Sequence, residues 1–405
     1  MTRKKIKSYP TDAAYDVIII GGGLSGLSFA AGLGGAGISV LCIEREDPAH
    51  MATQSYDDRT IAISLGSYRV LEQFGITHFL SDNDMCPIRH IDISEGSSPV
   101  LLNFLSHDID IDAFGYIIEN RFLRRALYQK IESLDSVHLL SSTHVVDFEI
   151  LSDHVQVKTS SGACFSAKLV VGADGRSSFT REWMNIGVRE WSYRQSAHVC
   201  MMAHEHPHHF TAVENFRPEG PFAILPMPDD ENGRHRSAVV WSRHHRKKIK
   251  NLENIGIFEA GLQALVPTSY GRIEVISKPV LYPLGFVHAH RYTGTRMALI
   301  ADAAHGIHPI AGQGLNLGFR DMSALYQLII SAHKQGRDIG ASALLSTYEQ
   351  KRRFDNMMMS AATDTLNKLF AHPSKSFGLI RKAGLKMIQS VKPAKRFLMK
   401  YASGL

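Results

Sequence analysis

The run Tyr15-Asp-Val-Ile-Ile-Ile-Gly-Gly-Gly-Leu-Ser-Gly26 constrains the fold more than any other stretch. A short β-branched apolar segment ends in glycines, and Leu24 to Leu33 then carries helix-forming residues, so the order is strand, tight turn, helix. Gly21, Gly23 and Gly26 fit G-x-G-x-x-G. In that pattern the first glycine makes the turn, the second admits a pyrophosphate against the backbone, and the third lets helix and strand pack closely. The free N–H groups at the helix start, on Leu24 and Ser25, then face the phosphates together with the positive end of the helix dipole. A second strand, Ile38 to Glu44, ends in an acid 18 residues after Gly26, about where a carboxylate accepts from a ribose hydroxyl. Gly32-Leu-Gly34-Gly-Ala-Gly37 also matches the glycine pattern, but it follows a helix and precedes a strand, so it reads as a helix end and turn. The expectation is a dinucleotide site.

Length and composition fit a large globular protein. At 405 residues, with 44% hydrophobic and 21% charged residues, the chain has room for two domains. Cys42, Cys86, Cys164 and Cys200 are scattered with no C-x-x-C spacing, which argues for a reducing compartment and against a disulfide framework or zinc site. Arg3, Lys4, Lys5 and Lys7 are not followed by a signal-type apolar run, and no stretch is long and apolar enough to span a bilayer. The expected location is cytoplasmic, with peripheral contact at the inner face of the membrane. The formal charge of +6 belongs to the tail: nine cations and no acid follow Asp364, so residues 1–364 are net acidic. That distribution does not suit a nucleic-acid-binding body, and no nucleic-acid partner is expected.

Further along, Asp57 to Ser64 leads into a helix ending near Gly75. Pro87 to Glu95 and Val100 to Leu105 read as strands, and Gly115 to Asn120 as a strand entering the helix Arg121 to Glu132. Val137–Leu140, Val145–Ile150 and Val155–Thr159 read as a meander. Lys168-Leu-Val-Val-Gly-Ala-Asp174-Gly175 and Arg296-Met-Ala-Leu-Ile-Ala-Asp302 are buried-type strands ending in acids, which places carboxylates at the carboxyl ends of a sheet, where open α/β folds bind ligands. Trp191 to Ser277 has spaced strands and one helix, Leu252 to Leu265. Gly312–Ala332 and Ser342–Phe370 are helical.

Three motifs now stand together: Gly21-x-Gly23-x-x-Gly26 with Glu44; Gly172-Ala-Asp174-Gly175; and Ala301-Asp302-Ala-Ala-His305-Gly-Ile-His-Pro309-Ile-Ala-Gly312-Gln-Gly314-Leu-Asn316-Leu-Gly318. Their order resembles the p-hydroxybenzoate hydroxylase superfamily of flavin monooxygenases. Asp57-x-Arg59-x-x-Ala62-x-Ser64, Gly115 to Asn120 and Phe216-Arg-Pro-Glu-Gly-Pro221 make it similar to the ubiquinone-biosynthesis hydroxylases. The resemblance runs from about residue 14 to 370. It implies an α/β fold: a Rossmann-like FAD-binding domain, an interleaved β-rich substrate domain and a helical C-terminus. The boundaries drawn are 1–86, 106–183 and 278–340 for the FAD-binding domain, 87–105 and 184–277 for the β-rich domain, and 341–405 for the C-terminal segment.

The resemblance also implies site roles. Gly314, Leu315 and Asn316 would lie beside the isoalloxazine and Pro309 near its reactive edge, Gly312 would be a cofactor-binding glycine of the same motif, Asp302 would hold the ribityl chain, and Asp174 would lie near the pyrophosphate and nicotinamide approach. Arg59 and Asn120 would flank the FAD, the Val145 backbone would meet the adenine, and Arg45 would contact phosphate. Read from the residues only, Arg59 and Asn120 are a surface residue and a helix cap. The family usually has Gly-Asp where this chain has Ala301-Asp302, and alanine is expected to forbid positive φ there.

The implied activity is FAD-dependent hydroxylation of a polyprenylated phenol in ubiquinone synthesis, with NAD(P)H as transient reductant and O2 as co-substrate. Alternatives on the same fold are halogenation, prenyl reduction, or a non-catalytic FAD-fold subunit of a quinone-synthesis complex. Trp183, Trp191 and Trp241 are too far apart for a halogenase signature. His204-Glu-His206-Pro-His208-His209 tempts as a metal site, but Pro207 breaks the strand period and the resemblance implies no metal. His305 and His308 read as packing and hydrogen-bonding groups, and Tyr193, Tyr282 and Arg217 as possible substrate neighbours. Other quinone-synthesis enzymes are possible partners. The tail puts Phe377, Ile380, Gly384, Met387, Ile388 and Val391 on one helical face, with Lys375, Lys382 and Lys386 opposite and Arg381 and Lys392 flanking. That face suits either a membrane surface or packing on the protein's own body.

Overall fold

The computed structural model describes residues 13–47, 59–244, 254–307, 312–371 and 375–405; the side chains of 366–368 and 370–380 fall outside that description. Strand β1 (Ala14–Ile20) turns at the glycines into helix α1 (Leu24–Gly35), and β2 (Val40–Ile43) returns beside it. The second glycine match lies in the last turn of α1 and the turn after it, with Gly37 at φ +85°. After residues 48–58, β3 (Thr60–Ser64) enters α2 (Leu65–Gln73), where the Ser64 hydroxyl caps the helix by accepting from the Ser67 N–H. Strands β4 (Met85–Ile88), β5 (His90–Glu95), β6 (Leu102–Leu105) and β7 (Gly115–Glu119) follow, then α3 (Asn120–Glu132).

Next come β8 (Val137–Leu140), β9 (Val145–Ile150), β10 (Val155–Thr159), β11 (Cys164–Gly172) and the short α4 (Phe179–Trp183). Parallel pairings β19–β11–β1–β2–β8 form the centre of an eight-stranded sheet, with β19 at Met297–Leu299 and the short β18 (Thr293–Gly294) antiparallel at its edge. The expected meander is therefore corrected. β8 pairs parallel with β2, while β10 pairs antiparallel with both β11 and β9. Helix α1 is largely buried against this sheet and its neighbouring helices, which explains its mostly apolar and small-residue composition.

The β-rich layer contains the long β12 (Val188–His204), β13 (Thr211–Phe216), β14 (Phe222–Met227), β15 (His235–His244), α5 (Ile255–Gln263) and β16 (Ile273–Val275). With β5, β6, β17 (Val280–Ala289) and β20 (His305–Gly306) these strands make a nine-stranded sheet. Strand β17, assigned above to the FAD-binding part, is hydrogen-bonded along β12 in this second sheet. Between the two large sheets stands a three-stranded one, β3–β7–β4.

Helices α6 (Gln313–Lys334) and α7 (Ser342–Ala371) cover the first sheet, and α8 (Lys375–Ser390) and α9 (Lys392–Ser403) end the chain. The tail packs on the protein's own body. Leu385 and Met399 are buried in a cluster with Ile88, Leu102 and Phe104, and Ile388 leans on it. Arg381, expected on the flank of a free basic face, is instead buried and ion-paired with Glu95, and Lys395 reaches Asp108 at 3.2 Å. Of the expected apolar face, Met387 is 68% and Val391 40% exposed. The side chains of Phe377 and Ile380 lie outside the described residues. Among the described residues no helix is long and apolar enough to cross a membrane.

Candidate active site

Two of the three motif glycines are demanded by the protein itself. Gly21 sits at φ +103°, and a Cβ there would lie 2.6 Å from the Ala173 carbonyl oxygen. A Cβ on Gly26 would lie 1.8 Å from the Gly21 oxygen. Gly23 differs: it precedes α1 in extended geometry, and an added Cβ would meet nothing within 4 Å. Gly175 and Gly314 are equally open. The room above these glycines, with the unbonded first N–H groups of α1 at Leu24 and Ser25, forms a cradle that fits a dinucleotide pyrophosphate. Glu44 is buried at the end of β2. It accepts the Gly22 N–H at 2.5 Å and the Glu46 N–H at 2.8 Å, which ties the glycine turn to the loop after β2. Each carboxylate oxygen keeps a further acceptor site for a ribose hydroxyl. Arg45 points outward, 78% exposed, 3.7 Å from Glu46.

Asp174 brings its backbone against the turn, its Cα 2.9 Å from where a Gly21 Cβ would stand. Its carboxylate turns to α4, accepting from Ser178 Oγ (2.5 Å), Thr180 N–H (2.9 Å) and Thr180 Oγ1 (3.0 Å). Asp302 is 50% exposed, with Arg176 Nε at 3.7 Å. The residue before it corrects an expectation: Ala301 is held at φ +52° despite its methyl group. That left-handed geometry costs an L-residue roughly 1–2 kcal/mol.

The hold comes from Asp321 on α6, which sequence reading missed. Its Oδ2 accepts the Ala301 N–H at 3.0 Å and lies 2.5 Å from His305 Nε2. Its Oδ1 accepts from Arg352 Nε at 2.9 Å and Asn356 Nδ2 at 3.1 Å. Burial would raise this carboxyl, but His305 and Arg352 outweigh it and bring the pKa down to about 2. Burial similarly lowers His288, bonded to Tyr292 Oη at 3.0 Å, to about 4. A trace was present in the sequence: Arg352 and Asn356, four apart on a helix, share one face.

The start of α6 closes the other side. Gly312 lies at φ +63°, where a Cβ would come 2.9 Å from the Ala62 Cβ. Asn316 is 1% exposed. Its oxygen accepts the Ser64 N–H at 2.9 Å, and its amide donates to the carbonyls of Ala62 at 2.8 Å and Gly312 at 3.0 Å. Leu315 is half-buried beside it. Pro309, His308 and Asp57 lie outside the described residues. Arg59 places its guanidinium 5.1 Å from the Tyr282 ring, and its carbonyl accepts the N–H of buried Asn120 at 2.9 Å. Val145, the first residue of β9, is buried in a cluster with Ile18, Ile20 and Ile43.

The histidine run is engaged within the protein. His204 bonds the His206 carbonyl and Ser237 Oγ, His208 bonds the Met227 carbonyl, and burial lowers both pKa values. Tyr193 stacks edge-on with Trp191, and Arg217 follows β13 at the border of the β-rich sheet.

The family description "FAD binding domain" matches residues 14–362. The ubiquinone hydroxylase UbiL of Rhodospirillum rubrum is 38% identical over 395 residues, covering 97% of this chain and 90% of that protein. The 3-demethoxyubiquinol 3-hydroxylase of Escherichia coli K12 is 31% identical over 400 residues, covering 98% and 100%. Human mitochondrial ubiquinone biosynthesis monooxygenase COQ6 is 31% identical over 444 residues, covering 97% and 93%. The crystal structure of p-nitrophenol 4-monooxygenase PnpA from Pseudomonas putida DLL-E4 has the same fold, with TM-score 0.79 at 19% identity over 95% of this chain and 97% of that one. The glycine cradle, the acids at the sheet's carboxyl edge and these matches along nearly the whole sequence agree, and the chain belongs to the ubiquinone-biosynthesis family of FAD-dependent hydroxylases.

Proposed function

We propose that this protein hydroxylates the aromatic ring of a polyprenylated phenol during ubiquinone synthesis, using FAD, NAD(P)H and O2. The observation that carries the reading is the cradle between the starts of α1 and α6, lined by glycines whose missing side chains leave open room. FAD supplies the redox chemistry when bound. The chain's own residues do the rest. The N–H groups of Leu24, Ser25 and Gly26 would hold the pyrophosphate, Glu44 the adenosine ribose and Asp302 the ribityl chain. The start of α6 at Gly312, Gly314 and Leu315 would offer N–H groups and the positive helix end to the flavin ring. Asn316 fixes that helix start to β3, and the nine-stranded sheet would shield the substrate from water.

The tail contributes a membrane contact in this reading. Met387, Val391 and Phe397 are exposed among exposed Lys386, Lys392, Arg396 and Lys400, a surface suited to anionic lipid at ~1 kcal/mol per nearby cation. Other quinone-synthesis enzymes are partners on the same logic, because substrate and product both stay in the bilayer.

The direct test is NAD(P)H oxidation by the FAD-loaded protein with a short-chain prenylated phenol under O2, with mass analysis of the product. A gain of one oxygen on the ring is expected. NAD(P)H oxidation that no phenol stimulates, with the phenol recovered unchanged, overturns the reading. For the tail, co-sedimentation with anionic vesicles should fall in a Lys386→Glu/Lys392→Glu/Lys400→Glu variant; equal binding by both proteins removes the membrane role.

A further inference from the structure

Helices α2, α6 and α7 meet around a recess of about 210 Å3, closed on its remaining side by Gly404 at the end of α9. On α6 the lining residues Arg320, Ser323 and Gln327 recur at helical spacing, the first of them one turn past Asn316. No residue of the glycine cradle lines the recess, so it is a separate place beside the start of α6. The tail fits closely there: a Cβ on Gly66 would stand 2.4 Å from the Gly404 carbonyl oxygen. The recess is complete only with the tail docked.

Its lining carries donors and no acid. Helix α7 supplies Lys351 and Arg352, and α6 supplies Arg320. Arg320 and Arg352 share Asp355 at 3.6 and 2.7 Å, and Arg352 also pairs with Asp321 at 2.9 Å, so two carboxylates answer three cations. Lys351 is exposed and, among the described residues, has no ion-pair or hydrogen-bond partner. Arg352 is 5% exposed and uses three of its five N–H groups on Asp321, Asp355 and Asn356, which leaves two. Ser67 on α2 is 3% exposed. Its hydroxyl accepts from Ser64 Oγ at 3.0 Å, and its own proton meets no acceptor among the described residues. The Gly66 N–H in the first turn of α2 and the side chains of Ser323 and Gln327 are likewise unmatched among those residues. Buried donors without acceptors, beside a surplus cation and the positive end of a helix, call for an anionic ligand.

We propose that this recess binds a phosphate group, held by the Lys351 ammonium, the spare N–H groups of Arg352, the Ser67 and Ser323 hydroxyls and the start of α2. A tetrahedral anion with several acceptor oxygens suits donors that approach from three helices, whereas a planar carboxylate would satisfy fewer of them. The occupant ties α2, α6 and α7 together under the end of the tail, so it fastens the tail to the body. A free phosphate and the phosphate of a lipid headgroup share this chemistry.

The test uses the full-length FAD-loaded protein, so that the pyrophosphate cradle is already filled. Inorganic phosphate, titrated against chloride at constant ionic strength, should raise the melting temperature along a saturating curve and slow hydrogen exchange at the end of α9. Lys351→Glu should weaken phosphate binding about tenfold, the effect of one lost charge-assisted contact. Ser323→Asp, which puts a carboxylate into the recess, should abolish it. Both variants should keep the FAD occupancy of wild type. Vesicles containing phosphatidate separate the two sources. Vesicle binding that both variants reduce and inorganic phosphate competes away assigns the site to a lipid headgroup. Vesicle binding indifferent to the variants, with phosphate binding still lost in them, assigns it to a soluble phosphate. A wild type whose stability shows no saturating response to phosphate overturns the proposal, and so do variants that bind phosphate as wild type does. Should Ser323→Asp fail to fold, Lys351→Glu, at an exposed position, decides alone.

Discussion

The side-chain oxygen of Asn316 accepts the backbone N–H of Ser64 at 2.9 Å across 252 residues of sequence. The same side chain donates to Ala62 and Gly312, so one buried amide seams the end of β3 to the start of α6. Asn316→Ala leaves those backbone groups unmatched, at roughly 1–3 kcal/mol. FAD occupancy, read as the ratio of flavin to protein absorbance, should fall, and the melting temperature with it. Asn316→Asp should do worse, because a carboxylate would face the two carbonyls. Unchanged occupancy in both variants would falsify the seam.

Ala301 and Gly318 test each other. A Cβ on Gly318 would lie 2.8 Å from the Ala301 Cβ. Gly318→Ala should cost about 1–3 kcal/mol through overpacking. In an Ala301→Gly background most of that cost should vanish, because the opposing methyl is gone and the positive φ is relieved. Denaturant melts of the double-mutant cycle measure the coupling. Additive effects would mean that the two residues do not share the space.

Asp302→Ala should lower FAD occupancy more than Asp174→Ala does, while Asp174→Ala should lower the melting temperature more. Asp302 is half-exposed with one distant ion-pair partner, whereas Asp174 makes three hydrogen bonds that cap α4. The reverse ranking in either measurement removes the cofactor role given to Asp302.

Acid should act through Asp321. Its pKa falls from 3.8 to about 2 on folding, so the folded state favours the carboxylate. That stability is fully present above about pH 4, is lost as pH falls towards 2, and amounts to roughly 2 kcal/mol. Thermal melts from pH 6 to pH 2 should show this acid limb in wild type. Asp321→Asn should flatten it and lower the melting temperature throughout, since Arg352 loses its buried counter-ion. A parallel pH profile in the variant would assign the limb to other groups.

The tail should come loose when its ion pair is cut. Arg381→Ala strips the partner from Glu95 in a nearly dry contact, at about 3–5 kcal/mol. Hydrogen exchange over 381–403 should speed up while β1 and α1 stay protected. Equal protection in wild type and variant would show that Leu385 and Met399 hold the tail without it.

What the sequence announced was local. Gly21 and Gly26 are required by atoms within one strand–turn–helix, so their spacing carried the whole message. Strand period also marked Val137–Leu140, but period cannot name a partner, and β8 joined β2 in parallel rather than β9. Arg381 reads as a solvated cation until Glu95, 286 residues earlier, is brought to it. Asp321 was silent for a related reason: its cations, His305 and Arg352, come from a strand before it and a helix after it.

The seam between Ser64 and Asn316 also sets an order of events. During synthesis β1, α1 and β2 emerge together, but β3 waits for some 250 further residues before its closing partner appears. Contacts of such sequence separation form late, because the loop entropy must be met first. The glycine turn is thus an early product of translation and its junction with the start of α6 a late one, with the tail packing on last. Ribosome-arrested chains of increasing length should retain FAD only once Asn316 has cleared the exit tunnel, making the cofactor a marker of completed folding rather than its seed.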